Sequence, residues 1–336
     1  MKRFIYIMAI LVVAFSLSGC AAVLEKYFTP VDPESTEELV VEIPSGSTTT
    51  TIGTVLFDEG LIQNVNAFKA KVRLMEVDGK MMAGTYKLSP SMDVETIIEK
   101  LVSGETYVET FKITIPEGYE VRQIVDLLAS KNQIDPDAFI EVLKTHPFDY
   151  KFLEGVDRSN LLEGFLFPDT YEFKKGATEV EIVTRMLNRF DSVFQEAYYV
   201  RSEELNMTVE ELVTLASIVE REAMVDSEFK LVSSVFHNRI KKEWLLESCA
   251  TVQYVLQERK PVLSIADTEI ESPYNTYLNV GLPPAPIASP GKRALEAALY
   301  PEETSYLFFV TKETNDGSHY FNETYEEHLR DARRSN

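Results

Sequence analysis

Two short runs, residues 40–43 with apolar Val40, Val41 and Ile43 and residues 111–115 with apolar and polar positions alternating, read as strands. Each stops at a Pro-x-Gly turn, Pro44-Ser45-Gly46 and Pro116-Glu117-Gly118, and each leads into a stretch whose apolar residues lie four apart, the period of a helix. The two phrases are related. Ile43 and Ile115 stand 72 positions apart, and the same offset matches Ile52 with Ile124, Leu56 with Leu128 and Ile62 with Ile134. Matches kept in register predict a structural repeat with a second copy over 111–143. After the first copy, residues 83–90 read as a strand and 92–101 as a helix ended by Ser103-Gly104. From residue 135 the pattern becomes mostly helical, with helices expected at 180–200, 209–224 and 229–241 and a loop at 162–173. Residues 281–291, GLPPAPIASPG, must be irregular, because their prolines remove backbone donors and fix φ. A short helix at 293–299, strands at 306–310 and 320–321, and a helix from Tyr325 complete the chain.

The expected fold class is α+β, a small module over 39–106 followed by a larger, mostly helical domain with short strands over 107–336. The strand, helix, helix, strand order of the module resembles the LysM carbohydrate-binding module; an α+β spacer without a ligand fits the same pattern. Ahead of both stands MKRFIYIMAILVVAFSLSGC, two basic residues followed by an uncharged apolar run and small residues, the anatomy of an export signal over 1–20. Its end, Leu17-Ser18-Gly19-Cys20, resembles a bacterial lipobox, which implies lipidation at Cys20. The uncharged stretch runs on through Leu24, so an uncleaved span of about twenty residues fits as well. Either anchor leads through a polar, proline-containing linker over 21–38 and puts everything after Glu25 on the outer face of the cytoplasmic membrane.

Composition narrows the chemistry. At 26% charged and 45% hydrophobic residues the chain is globular, and a net charge of −21 argues against a nucleic-acid partner. Only Cys20 and Cys249 are present, so lipidation of Cys20 leaves no intramolecular disulfide. The four histidines show no metal-ligand spacing, and neither a metal nor a cofactor is expected.

The segment LASIVEREAM, residues 215–224, carries Glu220 and Glu222 in apolar, alanine-rich surroundings. Thr208 with Glu211 makes a capping box that starts this helix, and Leu212, Leu215, Ala216, Val219 and Ala223 form an apolar face. At about 100° per residue the two glutamates fall on opposite flanks of that face and Arg221 points away from it. Glu220 has Ala216, Ser217, Ala223 and Met224 around it, and partial desolvation there would raise its pKa toward neutrality. Glu222, one turn from Asp226, reads as a solvated edge. Two further segments mix acids, amides and aromatic residues as sugar clefts do: EGFLFPDTYEF with Glu163, and SPYNTYLNVG with Tyr274, Asn275 and Tyr277. Structural loops pinned by aromatic packing would show the same pattern.

Taken in order, IPEGYEVRQIVDLL, LEGFLFPDTYEF, LASIVEREA, VSSVFHNRI, SCATVQYVL, SPYNTYLNVGLPPAPIASPG, YLFFV and SHYFNETYEEHL resemble the endolytic murein transglycosylases, the YceG-like family, over residues 40–330. The resemblance implies a membrane-held enzyme that cuts peptidoglycan glycan strands between N-acetylmuramic acid and N-acetylglucosamine, leaving 1,6-anhydro ends without consuming water. It places the catalytic glutamate at the close of Ser-Ile-Val-Glu, here Glu220, and suggests peptidoglycan synthases as partners. Ser217, Glu163, Thr251, Gln253, Tyr274 and Asn275 are candidates for lining the cleft. The chain departs from the family's common form at Ser248-Cys249-Ala250, where an aspartate and a proline often stand. Two other readings remain: a hydrolase of the same glycan with Glu163 and Glu220 as a carboxylate pair, and a non-catalytic lipoprotein that binds cell-wall glycan.

Overall fold

The computed structural model describes residues 25–260, 262–314 and 316–335, so Cys20 and the expected anchor lie outside the described residues. No described helix is long and apolar enough to cross a membrane. The chain divides into two compact units, one running to Glu109 and the other from Thr110 onward.

In the first unit, β1 (Leu39–Ile43) alternates, with Val41 and Ile43 buried and Val40 exposed. Helix α1 (Thr49–Asp58) starts where the Thr48 side chain accepts a hydrogen bond from the Thr51 N–H, and α2 (Val65–Leu74) starts at Asn64 in the same way. Strand β2 (Gly84–Leu88) returns antiparallel to β1, pairing Tyr86 with Val41. Helix α3 (Val94–Ser103), capped by Asp93 and ended by Gly104, closes a core of Val41, Ile52, Leu56, Phe68, Tyr86 and Ile97.

The second unit opens with the same five elements. Strand β3 (Thr110–Thr114) is followed by α4 (Val121–Ser130), α5 (Pro136–Thr145), β4 (Thr170–Lys174) and α6 (Glu179–Val193). β3 and β4 pair antiparallel, with Ile113 opposite Tyr171. Ile113 stands 72 positions after Val41, and Tyr171 stands 85 after Tyr86. Each tyrosine hydroxyl donates to the carbonyl four residues earlier, Tyr86 to Met82 at 2.8 Å and Tyr171 to Phe167 at 2.6 Å. The N-caps Asp93 and Thr178 are also 85 apart. The repeat is thus a complete strand, helix, helix, strand, helix unit, larger than the stretch over 111–143 that the first offset reveals. Its second half slips out of register because the second copy is longer between α5 and β4. That added segment contains two 3₁₀ turns and Glu163.

The helix expected over 180–200 is two. It breaks at Phe194, after which α7 (Glu196–Glu204) begins. No glycine or proline marks this break; Phe194 is buried and its ring meets Phe190, Tyr198 and Tyr199, so packing turns the chain. Helix α8 (Val209–Glu222) follows, with the Thr208–Glu211 capping box in place. Its residues 212–219 are buried on every side rather than on one face, because α7, α9 (Phe229–Lys241), α10 (Cys249–Leu256) and the later helix α12 (Lys292–Leu299) all pack against it. The two hydroxyls inside this stretch are satisfied along the helix, Thr214 by the Glu210 carbonyl and Ser217 by that of Thr214. Beyond α10 come the single turn α11 (Ile265–Thr268), the irregular segment before α12 (Lys292–Leu299), the antiparallel pair β5 (Phe308–Thr311) and β6 (His319–Asn322), and α13 (Tyr325–Ser335).

Candidate active site

The C-terminal end of α8 presents Glu220, Arg221 and Glu222 in three directions, and each meets a different partner. Glu220 lies beside the Pro116-Glu117-Gly118 turn, where its Cγ would stand 3.7 Å from a Cβ placed on Gly118. On its other side the N–H of Gly291 donates to Oε2 at 2.9 Å. Enclosure between these segments disfavours the charged form, and the nearby Glu117 carboxylate adds repulsion. The Gly291 hydrogen bond and the Arg293 charge act the other way. Burial dominates, and the carboxyl pKa rises to about 7.

What holds this enclosure is a buried stretch without regular structure, residues 285–291. Buried backbone donors need partners, and Pro286 and Pro290 remove two of them. The remaining contacts clip the segment to its neighbours. Ile287 N–H donates to the Ser217 hydroxyl at 3.0 Å, Ser289 N–H donates to the Tyr119 carbonyl at 2.7 Å, and Gly118 N–H donates to the Ser289 carbonyl at 2.9 Å. Gly291 has an ordinary backbone, φ −76°, so a side chain is excluded there by space rather than by conformation: a Cβ would fall on the Glu117 carboxylate.

Arg221 does not point to solvent as the helical wheel implies. Its side chain is buried and donates to Glu120 Oε1 at 3.3 Å, while Arg122 donates to Glu120 Oε2 at 2.6 Å. Glu120 is itself the capping-box residue of α4, so this ion pair ties the end of α8 to the start of α4. Glu222 is not a solvated edge either. The helix ends there, which removes Asp226 from its neighbourhood, and Asp226 pairs with Arg293 instead. Glu222 Oε1 accepts from the Ser248 hydroxyl and from Ala250 N–H at 3.2 Å, fixing the first turn of α10. The departure at Ser248-Cys249-Ala250 is therefore absorbed by a helix start. Cys249 meets the Tyr277 hydroxyl at 3.2 Å.

The other candidates divide into two groups. Glu163 is buried at 4% exposure and both carboxylate oxygens accept from Val121 N–H, at 3.0 and 3.1 Å. Burial pushes its pKa up to about 8, opposed by that hydrogen bond. With Glu120, Arg122, Tyr254 and Tyr274 it lines a cavity of about 400 Å³. Tyr254 and Tyr274 have ring centroids 5.1 Å apart, and the Tyr274 hydroxyl donates to Asn160 at 3.0 Å. The second group is spent on the protein's own loops. Ser217 is fully buried and holds Ile287, as above. Thr251, also fully buried, bonds to the Ser248 carbonyl and the Thr276 hydroxyl. Asn275 donates to the carbonyls of Thr268 and Ile270, and Gln253 to that of Lys260. The amides and hydroxyls that looked free to meet a sugar act as struts, because buried polar groups take the nearest internal partner.

Sequence reasoning passed over Glu117, Glu120 and Gly291. A signal was present in the repeat: at the 72-residue offset Glu117 replaces Ser45 and Glu120 replaces Thr48, so both acids are particular to the second copy.

The profile of the YceG-like family matches residues 41–334. The chain belongs to this family. YceG-like relatives include a protein named endolytic murein transglycosylase from Bacillus subtilis, 36% identical over 311 residues that make up 89% of this chain and 85% of the relative. A protein of the same name from Streptococcus pneumoniae is 32% identical over 331 residues, 90% of this chain and 59% of that protein. A crystal structure of a yceG-like protein from Listeria monocytogenes superposes with a TM-score of 0.59 at 35% identity, covering 88% of this chain and 99% of that one.

Proposed function

We propose that this YceG-like chain is an endolytic murein transglycosylase in which Glu220 is the single acid and base. The observation that carries the reading is the enclosure of Glu220 between Gly118 and Gly291, which pushes its pKa up to about 7. An acid with a pKa near the working pH is suited to protonate a leaving oxygen and then to act as a base. The proton passes from Glu220 to O4 of N-acetylglucosamine as the bond to C1 of N-acetylmuramic acid breaks and its electron pair stays on that oxygen. The C6 hydroxyl oxygen of the same muramic acid bonds to C1, and its proton returns to Glu220. Products are a free 4-hydroxyl and a 1,6-anhydro end, with atoms balanced and no water used. The attacking hydroxyl belongs to the substrate, which removes much of the entropic cost of a second nucleophile.

Tyr274 and Tyr254, which line the cavity beside Glu163 with their rings tilted against each other, offer an aromatic surface to a sugar ring. A hydrolase pairing Glu163 with Glu220 has weaker support, since both oxygens of Glu163 are directed at a helix N-terminus. The anchor, by Cys20 or an uncleaved span, would hold the enzyme on the outer membrane face next to nascent strands and their synthases. The first unit, with its strand, helix, helix, strand order, would serve as a LysM-like glycan-binding module.

The test compares Glu220→Gln with Glu222→Gln on purified glycan strands. The proposal expects shortened strands from Glu222→Gln and none from Glu220→Gln. The reverse pattern would overturn the proposal and assign the chemistry to Glu222.

A further inference from the structure

Of the five acids Glu117, Glu120, Glu163, Glu222 and Asp226, four have partners. Glu120 is held by Arg122 and Arg221, Asp226 by Arg293, Glu222 by Ser248 and Ala250, and Glu163 by Val121. Glu117 differs. Among the described residues it has no ion pair and no side-chain hydrogen bond, and it is exposed. Its carboxylate nevertheless has a defined place, occupying the volume a Cβ on Gly291 would need. The same Gly291 donates its N–H to Glu220. One residue therefore touches both carboxyl groups, and standard backbone geometry keeps them within about 7 Å of each other. Carboxyl pairs that flank a glycosidic bond stand at such separations.

We propose that Glu117 is a second catalytic residue, a permanent carboxylate facing the reacting sugar that stabilises the positive charge developing at C1 while Glu220 moves the proton. This rests on the transglycosylase reading and deepens it. Glu117 forms no bond and takes no proton: Glu220 gives its proton to the leaving oxygen and recovers one from the C6 hydroxyl, while Glu117 stays charged throughout. The environments suit this division. Glu220 is enclosed and Glu117 is exposed, and unlike surroundings are how a pair of like residues takes on two roles. A negative charge fixed beside Glu220 also helps keep that acid protonated. Electrostatic stabilisation of a transition state by one preorganised group is worth about 10²–10³ in rate.

The experiment measures kcat, KM and the pH profile of wild type, Glu117→Gln and Glu117→Asp on glycan strands. A second measurement follows the titration of the Glu220 carboxyl by ¹³C NMR in wild type and Glu117→Gln. The proposal expects kcat of Glu117→Gln to fall about 100-fold with KM within a few fold, partial recovery in Glu117→Asp, and Glu220 titrating at lower pH once the neighbouring charge is gone. Unchanged kcat would overturn it, as would a Glu220 titration unmoved by Glu117→Gln. A Glu117→Gln defect confined to KM would also overturn it, reducing Glu117 to a binding contact. Wild type that cuts strands and Glu220→Gln that does not would leave the transglycosylase reading standing whatever Glu117 does; an inactive wild type would sink that reading, and the titration would still test the coupling.

Discussion

The two copies of the strand, helix, helix, strand, helix unit start from the same turn and put it to different use. In the first, nothing among the described residues lies within 4 Å of the Cβ position on Gly46, and the turn Pro44-Ser45-Gly46 is a connector with φ of +77° at the glycine. In the second, Gly118 has the same left-handed backbone, φ +73°, but its Cβ position meets Arg221 and Glu220, and its N–H is clipped to Ser289. The helix after the turn is capped by Thr48 in one copy and Glu120 in the other. A common scaffold thus supplies a rigid turn, and the chemistry comes from what is brought to it: the end of α8, the buried segment 285–291, and two acids that replace Ser45 and Thr48.

If that is right, crowding the second turn should cost activity where the first tolerates change. Gly291→Ala would drive a methyl group into the Glu117 carboxylate and shift the Glu220 hydrogen bond. Strand cleavage should drop by about 100-fold, since a displacement of about 1 Å at a catalytic group has that effect. A kinetic assay that finds wild-type rates would detach Gly291 from the site.

Glu163 has no counterpart in the first copy, and its burial makes a separate prediction about stability. Its pKa is near 4.5 when unfolded and about 8 when folded, so the stability linked to its proton is full below 4.5 and is lost as pH rises through 8. Glu163→Gln keeps an acceptor for Val121 without titrating. Between pH 5 and 8 denaturant titrations should show the variant gaining roughly 3 kcal/mol on wild type. Parallel pH dependences would mean that Glu163 is ionised in the folded protein.

Smaller effects compare the copies directly. Gly46→Ala and Gly118→Ala should each lose about 1 kcal/mol to the left-handed backbone, while only the second lowers the cleavage rate. Equal activity in the two would show that the second turn is also a mere connector. Tyr86→Phe and Tyr171→Phe each remove one hydroxyl-to-carbonyl bond and should each cost about 1 kcal/mol, seen as similar shifts in midpoint. A large difference between them would break the structural equivalence.

Much of this was legible in the residues. The Pro-x-Gly turns, the capping box at Thr208 and the bounds of α9 follow from local rules, because each is fixed within a few residues. For Glu220 the small neighbours alone leave a surface charge open, and it is the resemblance of Ser-Ile-Val-Glu that singles it out. What stayed hidden depends on distant partners. The break at Phe194 comes from ring packing, and the second half of the repeat was masked by the longer segment holding Glu163. Arg221 and Glu222 looked solvated because a helical wheel knows nothing of Glu120 or α10. Thr251, Asn275 and Ser217 looked like sugar contacts because sequence cannot say which polar groups already have internal partners.

The most direct measurement is mass analysis of the ends produced when purified glycan strands are incubated with wild type and with Glu220→Gln. The account predicts 1,6-anhydromuramic acid ends from wild type and no new ends from the variant. Reducing ends heavier by one water, or cleavage that persists without the Glu220 carboxyl, would contradict it.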